Sequence, residues 1–335
     1  MRQVLIIGCG NIAGGFDTLR AGSEPALTHA GAYERHGGFQ VAACVEPDAT
    51  RRHAFMQRWG VPQGYASLEE VRASCLPGSF DVISVCSPTG AHAQQVRAAL
   101  HLAPRLVFCE KPLAPALHEA QAIVQDCSDA DVPLAVNHSR RWAPDVQRLA
   151  LELQAGTWGA VRQATGTYNK GVLNNGSHLV DLLHLLLGPL RLLHAGSPSA
   201  DHNPADPSVP AVLEAAGGVP VHLCTAHAGD YALFELQLVT ARAVITMEDG
   251  GLRWRVRRVT DSPVFSGYRG LDAGTVVPGQ YLDSMQRAVS NLHDHLEHGV
   301  PLACTGSVAL QAQRLCERIR LEARAVPALP TSLEA

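Results

Sequence analysis

The chain has 335 residues, 46% of them hydrophobic, and a formal net charge of −4. Such a length suits two domains better than one, the acidic balance leaves no basic footprint for nucleic acid, and no apolar run approaches the roughly 20 residues that span a bilayer. Nine cysteines, without a CxxC pair and several inside apolar runs (Cys9, Cys44, Cys86, Cys109), read as free thiols in a cytoplasmic protein with no bound metal.

The N-terminus MRQVLIIGCG enters a strand directly, so no signal peptide is expected. RQVLII (2–7) runs into Gly8-Cys9-Gly10-Asn11-Ile12-Ala13, which matches the dinucleotide fingerprint GxGxxG/A. Gly8 permits the tight turn, Gly10 lets the backbone approach a pyrophosphate, and Ala13 is small enough for close packing. A helix start after the motif would offer N–H groups to the phosphates. Next comes GFDTLRAGSEPAL (15–27), a Gly/Pro-containing insert expected to cover cofactor or substrate, before a helix that restarts at Thr28. Further strands are expected at FQVAACVE (39–46), FDVISVCS (80–87), RLVFCE (105–110) and PLAVNH (133–138), with helical stretches between them. Alternation of continuous apolar strands with helices predicts a doubly wound parallel sheet over 1–139, a dinucleotide-binding domain. Glu46 ends the second strand, where a ribose 2′-OH is usually held. It would repel a 2′-phosphate, which favours NAD over NADP, although Arg51 and Arg52 follow. Ser87-Pro88-Thr89 and Glu110-Lys111-Pro112 each lie past the carboxyl end of a strand, the edge at which open α/β sheets bind ligands.

The pattern changes in 140–335, read as a second, α+β domain. A helix is expected over about 144–155. NKGVLNNGSHLVDLLHLLLG (169–188) then delivers an apolar helix that Gly188 ends. Three-residue spacing keeps His178, Asp181 and His184 roughly on one face of it. SPSADHNPADPSVPAV (197–212) reads as a loop. LFELQLV (233–239) alternates, and AVITMEDGGLRWRVRRV reads as a hairpin turning at Asp249-Gly250, with Leu252, Trp254 and Val256 opposite Arg253, Arg255 and Arg257. A last helical region, about 280–325, is split near Gly299-Val300-Pro301.

Of 27 basic residues, 25 are arginine; the lysines are Lys111 and Lys170. Lysine is the cation whose pKa can be brought into a working range, so both positions carry a functional expectation. Lys170 opens the loop before Asn174 and His178 and is expected to contact substrate.

The stretches VLIIGCGNIAG, DVISVCSPTGAH, FCEKPLA, VNHSRRWAP, LQAGTWGAV, GSHLVDLL and HDHLEHGVPLACTGSVAL together resemble the glucose–fructose oxidoreductase and inositol dehydrogenase family (Gfo/Idh/MocA), over essentially the whole chain. The resemblance implies cofactor contacts from Gly8 to Ala13, Glu46, Ser87 to Thr89, His92, Glu110 and Lys111. It places Lys111 beside the nicotinamide and substrate, with a D-x-x-x-H pair completing the site. His178 takes the last position of that pair and Asn174 stands in place of the aspartate. Asp181, one turn further along, can hold the histidine ring. Arg141, Asn174 and Asn175 fall on the substrate side. The resemblance also implies for the second domain, 140–335, a large, mostly antiparallel open sheet and roles in substrate binding and oligomerisation. The implied reaction is hydride transfer between NAD and a secondary carbinol of a sugar, cyclitol or nucleotide sugar, in a homodimer or homotetramer. Two alternatives share the fold: a glycosidase that oxidises its sugar transiently, and a non-catalytic NAD-binding regulator. If Asn174 only orients His178, Asn174→Asp should be tolerated and should raise the histidine pKa.

Overall fold

A computed structural model describes residues 1–20 and 24–325 of the chain. It divides into two compact units. One comprises Met1–Pro144 with Leu282–Gln311, the other Asp145–Tyr281 with the chain from Ala312 onward. The first unit therefore ends later than residue 139 and takes back a segment that a single cut at 139/140 leaves in the second.

In the first unit β1 (Arg2–Ile7), α1 (His29–His36), β2 (Phe39–Val45), α2 (Ala49–Trp59), β3 (Gln63–Tyr65), α3 (Leu68–Ser74), β4 (Val82–Val85), α4 (His92–Leu100), β5 (Leu106–Cys109), α5 (Leu117–Asp129) and β6 (Leu134–Val136) alternate. The strands form one parallel sheet in the order β3-β2-β1-β4-β5-β6. Strand order reverses between β1 and β4, which creates the crevice where dinucleotides bind in such sheets. Val4, Leu5, Ile6, Val82, Ile83, Leu106 and Val107 are fully buried, as strands covered on both faces must be.

The insert leaves between the first turn after the motif and α1, and backbone hydrogen bonds rejoin the two. Gly14 and Gly15 donate to the Gly10 carbonyl, closing one turn after the motif. The chain then leaves, and α1 resumes on that turn, with His29 N–H donating to Ile12 O (3.2 Å) and Ala30 N–H to Ala13 O (2.9 Å). The excursion is tied at its neck by Asp17. Its buried carboxylate accepts from Leu27 N–H, Thr28 N–H and the Thr28 hydroxyl, while Thr28 caps α1 through Gly31 N–H. Phe16 and Leu19 are exposed; residues 21–23 of the expected cover lie outside the described residues.

The second unit holds α6 (Pro144–Gln154, from its second residue), β7 (Val161–Tyr168), a π-helical turn (Gly171–Gly176) and α7 (Ser177–Leu187). There follow β8 (Leu190–Ala195), β9 (Ser199–Asn203), β10 (Asp206–Ser208), β11 (Ala211–Ala215), β12 (Val219–Thr225), β13 (Phe234–Thr240), β14 (Ala243–Glu248), β15 (Arg253–Asp261), β16 (Arg269–Leu271) and β17 (Thr275–Pro278). The large sheet runs β16-β15-β14-β13-β7-β12-β11-β8, with β17 also on β15; its β7–β12 pair is parallel and the rest antiparallel. Leu179, Val180, Leu182 and Leu183 of α7 are fully buried, and β7 lets the helix close in at Gly166, where a Cβ would stand 2.6 Å from Leu179.

Residues 197–212 are not a loop. β9 and β10 form a two-stranded ribbon, and β11 joins the large sheet. Pro204, Pro207 and Pro210 read as breakers because proline cannot donate to a ladder, yet short edge strands tolerate it. Leu252 also departs from its expected strand position: it sits in the turn, 43% exposed, while Trp254 is buried. α8 (Ser284–His298) and α9 (Gly306–Ala325) are separated where expected, α8 ending at left-handed Gly299. Among the described residues no helix is long and apolar enough to cross a membrane.

Candidate functional site

In the first unit, the loop after β1 touches the loop after β4. Gly8 has φ +86°, and a Cβ there would lie 2.8 Å from the Ser87 backbone, so this crossing needs glycine. At Gly10 a Cβ would meet nothing within 4 Å, which leaves the backbone open to an approaching pyrophosphate. Glu46 is buried beside this loop. One carboxylate oxygen accepts from Cys9 N–H (3.1 Å), the other from Asp48 N–H (3.1 Å) and Arg51 (3.3 Å). A cleft of about 420 Å3 opens here, lined by Gly8, Glu46, Pro47, Arg51, Ser87 and Pro88 among others. Its size, glycine cradle and floor carboxylate fit the adenosine half of a dinucleotide.

The turns after β4 and β5 are tied together by buried side chains. The His92 ring is inside the protein and spans two strand-end loops, with Nε2 2.9 Å from Ser87 O and Nδ1 3.0 Å from Pro112 O. His92 thus sets the spacing of the Ser-Pro-Thr and Glu-Lys-Pro turns. The Ser87 hydroxyl donates to the Gln95 side chain, and Thr89 opens a short 3-10 turn. Glu110 is buried and receives Asn137 Nδ2 at 2.6 Å and His29 Nε2 at 3.0 Å on one oxygen. Burial pushes its carboxyl up, but the hydrogen bond and charge of His29, the Asn137 amide and the charge of Lys111 more than offset this. Its pKa therefore lies below the usual carboxylate range. Lys111 itself is half-buried, and its bond to Pro112 is cis. Arg140 and Arg141 are buried in the turn after β6. Beside them burial, with the charges of Lys111, Arg141 and Arg140, lowers the pKa of His138 to about 3.

His29, Asn137 and His138 have no counterpart among the expected site residues. The insert hides His29 by lengthening its distance from the glycine motif. Asn137 and His138 end the run PLAVNH and look like strand residues, although β6 stops at Val136.

In the second unit, Lys170 takes a left-handed conformation (φ 65°) and opens the π-helical turn. Asn174 and Asn175 are half-buried in that turn, and half-buried His178 is the second residue of α7. Asp181 is buried one turn along, while His184 is half-buried near the end of the helix. The Asn174 amide donates to Lys170 O at 3.1 Å. An aspartate has no proton to give there and would set a carboxylate against a carbonyl, close to Asp206, which already accepts from Asn174 N–H. Asn174→Asp is therefore expected to destabilise the second unit by about 1–2 kcal/mol at pH 7 and to recover as pH falls towards 4. Urea titration at the two pH values checks it; equal stability of variant and parent at pH 7 would restore the simpler expectation of tolerance.

Among the described residues no group of three or more His, Cys, Asp or Glu side chains could hold a metal ion.

Residues 2–138 match the family model described as "Oxidoreductase family, NAD-binding Rossmann fold" (GFO_IDH_MocA). Among curated relatives, a D-apiose dehydrogenase of Rhizobium rhizogenes is 26% identical, over 47% of this chain and 50% of its own length. A D-xylose 1-dehydrogenase (NADP(+)) of Haloferax volcanii is 35% identical, over 39% of this chain and 38% of its own. The chain thus spans about half, or less, of the length of these relatives. Among solved structures, the WlbA dehydrogenase from Bordetella pertussis, in complex with NADH and UDP-GlcNAcA, superimposes with a TM-score of 0.75 at 19% identity, covering 98% of this chain and 99% of that one. The super-repressor mutant of Gal80p from Saccharomyces cerevisiae superimposes with a TM-score of 0.77 at 15% identity, covering 97% and 96%. At these identities the likeness speaks to the fold.

Proposed function

We propose that this chain, whose residues 2–138 are an NAD-binding Rossmann domain of the Gfo/Idh/MocA family, is an NAD-dependent oxidoreductase acting on a secondary carbinol of a sugar, cyclitol or nucleotide sugar. The observation that carries the reading is Lys111, which follows buried Glu110 in the turn that His92 ties to Ser87 of the glycine cradle, in a chain with two lysines. NAD, when bound, supplies the hydride acceptor. Lys111 polarises the reacting oxygen and stabilises its alkoxide character. His178 takes the hydroxyl proton, which an imidazole can do near neutrality. Asn174 shapes the loop before His178, Asp181 steadies the same helix, and Arg141, Lys170 and Asn175 contact substrate hydroxyl or anionic groups. We assign the protein to the cytoplasm on its free thiols, and to a homodimer or homotetramer on the family resemblance.

The test is a panel of free aldoses, cyclitols and nucleotide sugars with NAD, followed at the NADH absorbance. Reduction of NAD by one class supports the reading. Cleavage of a glycosidic bond with all NAD recovered unchanged would make the chain a glycosidase that oxidises transiently. Tight NAD binding with no turnover on any class would favour a regulator, the reading to which the Asn174 departure lends support.

Cofactor choice follows from Glu46. Its carboxylate bridges the Cys9 and Asp48 N–H groups on the wall of the cleft and would repel a 2′-phosphate bound there. Titration against tryptophan fluorescence should give NAD at least about tenfold tighter binding than NADP. Tighter NADP binding would mean that Arg51 turns to the phosphate and that Glu46 serves only to hold the glycine loop.

A further inference from the structure

We infer that the β9–β10 ribbon is the clamp that sets the loop carrying Asn174 and His178, and that Asp206 is a positioning residue for the proposed oxidation. This rests on the reading of His178 as the proton acceptor.

The π-helical turn cannot satisfy its own leading N–H groups, because their partners would lie before its start. In this chain those donors are met by three side chains from β9 and β10. Lys170 N–H donates to Asp201 Oδ2 at 2.9 Å, and Gly171 N–H to the Ser208 hydroxyl at 2.9 Å. Asp206 takes the next two, Leu173 N–H on Oδ1 at 2.9 Å and Asn174 N–H on Oδ2 at 2.8 Å. Four of the five backbone donors from 170 to 174 are therefore held by a ribbon some thirty residues away in sequence. The clamp is itself tied down. Ser208 donates to Asp201 Oδ1 at 2.8 Å, and Asp201 also accepts from Ala228 N–H at 3.2 Å. Tyr168, at the end of β7, donates its hydroxyl to Val209 O and accepts from Val209 N–H. Burial pushes the Asp201 carboxyl up, but its hydrogen bonds from Lys170, Ser208 and Ala228 outweigh this and hold it ionised.

Asp206 is the tightest fit of the set. A Cβ on Gly171 would stand 2.2 Å from its carboxylate oxygen, and Gly171 has φ +90°, so the loop gives up a side chain to let the carboxylate in. Its two charge-assisted bonds fix consecutive peptide planes. From there the Asn174 carbonyl receives the Ser177 hydroxyl at 3.2 Å, and the next residue is His178. Position is thus handed from the ribbon to the start of α7 through short, directional bonds. A π-turn is seldom used in proteins except where function needs its geometry. Here the geometry is imposed from outside the turn, which is what a site needs when reacting groups must be held within a fraction of an ångström.

The test is Asp206→Asn, Asp206→Glu and Asp206→Ala in the full chain, read in two ways. Hydrogen exchange at peptides covering 170–176 should speed up at least about tenfold in the Asn and Ala variants, while the buried part of α7 (179–186) stays protected. Turnover with the substrate found above should fall at least about tenfold in both, with the dissociation constant for NAD unchanged, and Asp206→Glu should regain part of it. If Asp206→Ala does not fold, the Asn variant decides alone. Unchanged exchange at 170–176 would overturn the clamp. Faster exchange with unaltered turnover would overturn the positioning role and leave a structural bond. Should the parent chain oxidise no substrate, the proposed function fails while the exchange arm still decides whether the clamp exists.

Discussion

Replacing Lys111 or His178 by alanine is expected to lower turnover by about two orders of magnitude or more, with the affinity for NAD kept within about threefold. The two changes act on separate demands of one step. Alcohol oxidation places negative charge on oxygen as hydride leaves carbon, and a fixed cation lowers the energy of that charge. Lys111 suits this because its neighbour Glu110 is held by His29 and Asn137. The step also releases the hydroxyl proton, for which His178 is proposed as acceptor. Methionine at 111, which keeps length and removes charge, should be as slow as alanine if charge is what matters. For His178→Ala, added imidazole should restore part of the rate, since a cavity at the start of α7 can admit a free base while its leucines keep the helix in place. Steady-state turnover at saturating substrate, with NAD titrated against tryptophan fluorescence, separates chemistry from binding. Normal turnover in either variant would refute the assigned site. Lost NAD binding in Lys111→Ala would instead make the lysine part of the cofactor cradle.

Where the chain is periodic, its sequence is close to its structure. The apolar runs of β1, β2, β4 and β5 and the leucines of α7 are legible because burial on both faces leaves no room for polar residues. The glycine motif is legible because Gly8 sits where a Cβ would strike Ser87. What escapes reading lacks a local signal. β3 has three residues, Gln63, Gly64 and Tyr65, with no alternation, and pairs with β2 at the sheet's edge. The β9–β10 ribbon is Pro- and Asp-rich, so its composition says loop, yet its aspartates hold the turn before His178. Contacts between residues far apart in sequence are the least visible of all. His29 meets Glu110 across 81 positions, and nothing in either neighbourhood announces the other. The Asn174 departure has a local account instead: it looks like a lost acid when aligned by motif, and like a donor within the turn when Lys170 O, four residues back, is seen beside it.

Acid should weaken the first unit, and His138 is the main reason. This ring is 3% exposed, and burial, then the charges of Lys111, Arg141 and Arg140, lower its pKa to about 3. In the unfolded chain a histidine titrates near 6.5. A folded pKa below the unfolded one means that the unfolded state binds the extra proton first, so stability falls as pH falls. The loss begins just below about pH 6.5 and runs at about 1.4 kcal/mol per unit until the folded ring also protonates near 3. By pH 4.5 the cost is on the order of 3 kcal/mol, a large share of what a domain has to lose. Glu110 acts in the same direction but later. Its folded pKa is depressed, so its contribution is complete above the ordinary carboxylate range and is lost only as pH drops through that range. In the window between about 6.5 and 4.5 His138 carries the larger share, and His36, whose pKa burial and the charge of His293 also lower, adds to it in the same direction. His138→Gln keeps a polar side chain of similar reach and removes the titration. The measurement is the urea midpoint of the first unit, read by hydrogen exchange on β5 and β6 peptides at several pH values. The parent should lose stability steadily across the window, and the variant should lose markedly less, with the slope that is left coming from His36. Parallel curves for the two proteins would show that His138 takes up its proton in the folded state and that the charges around it do not hold it neutral.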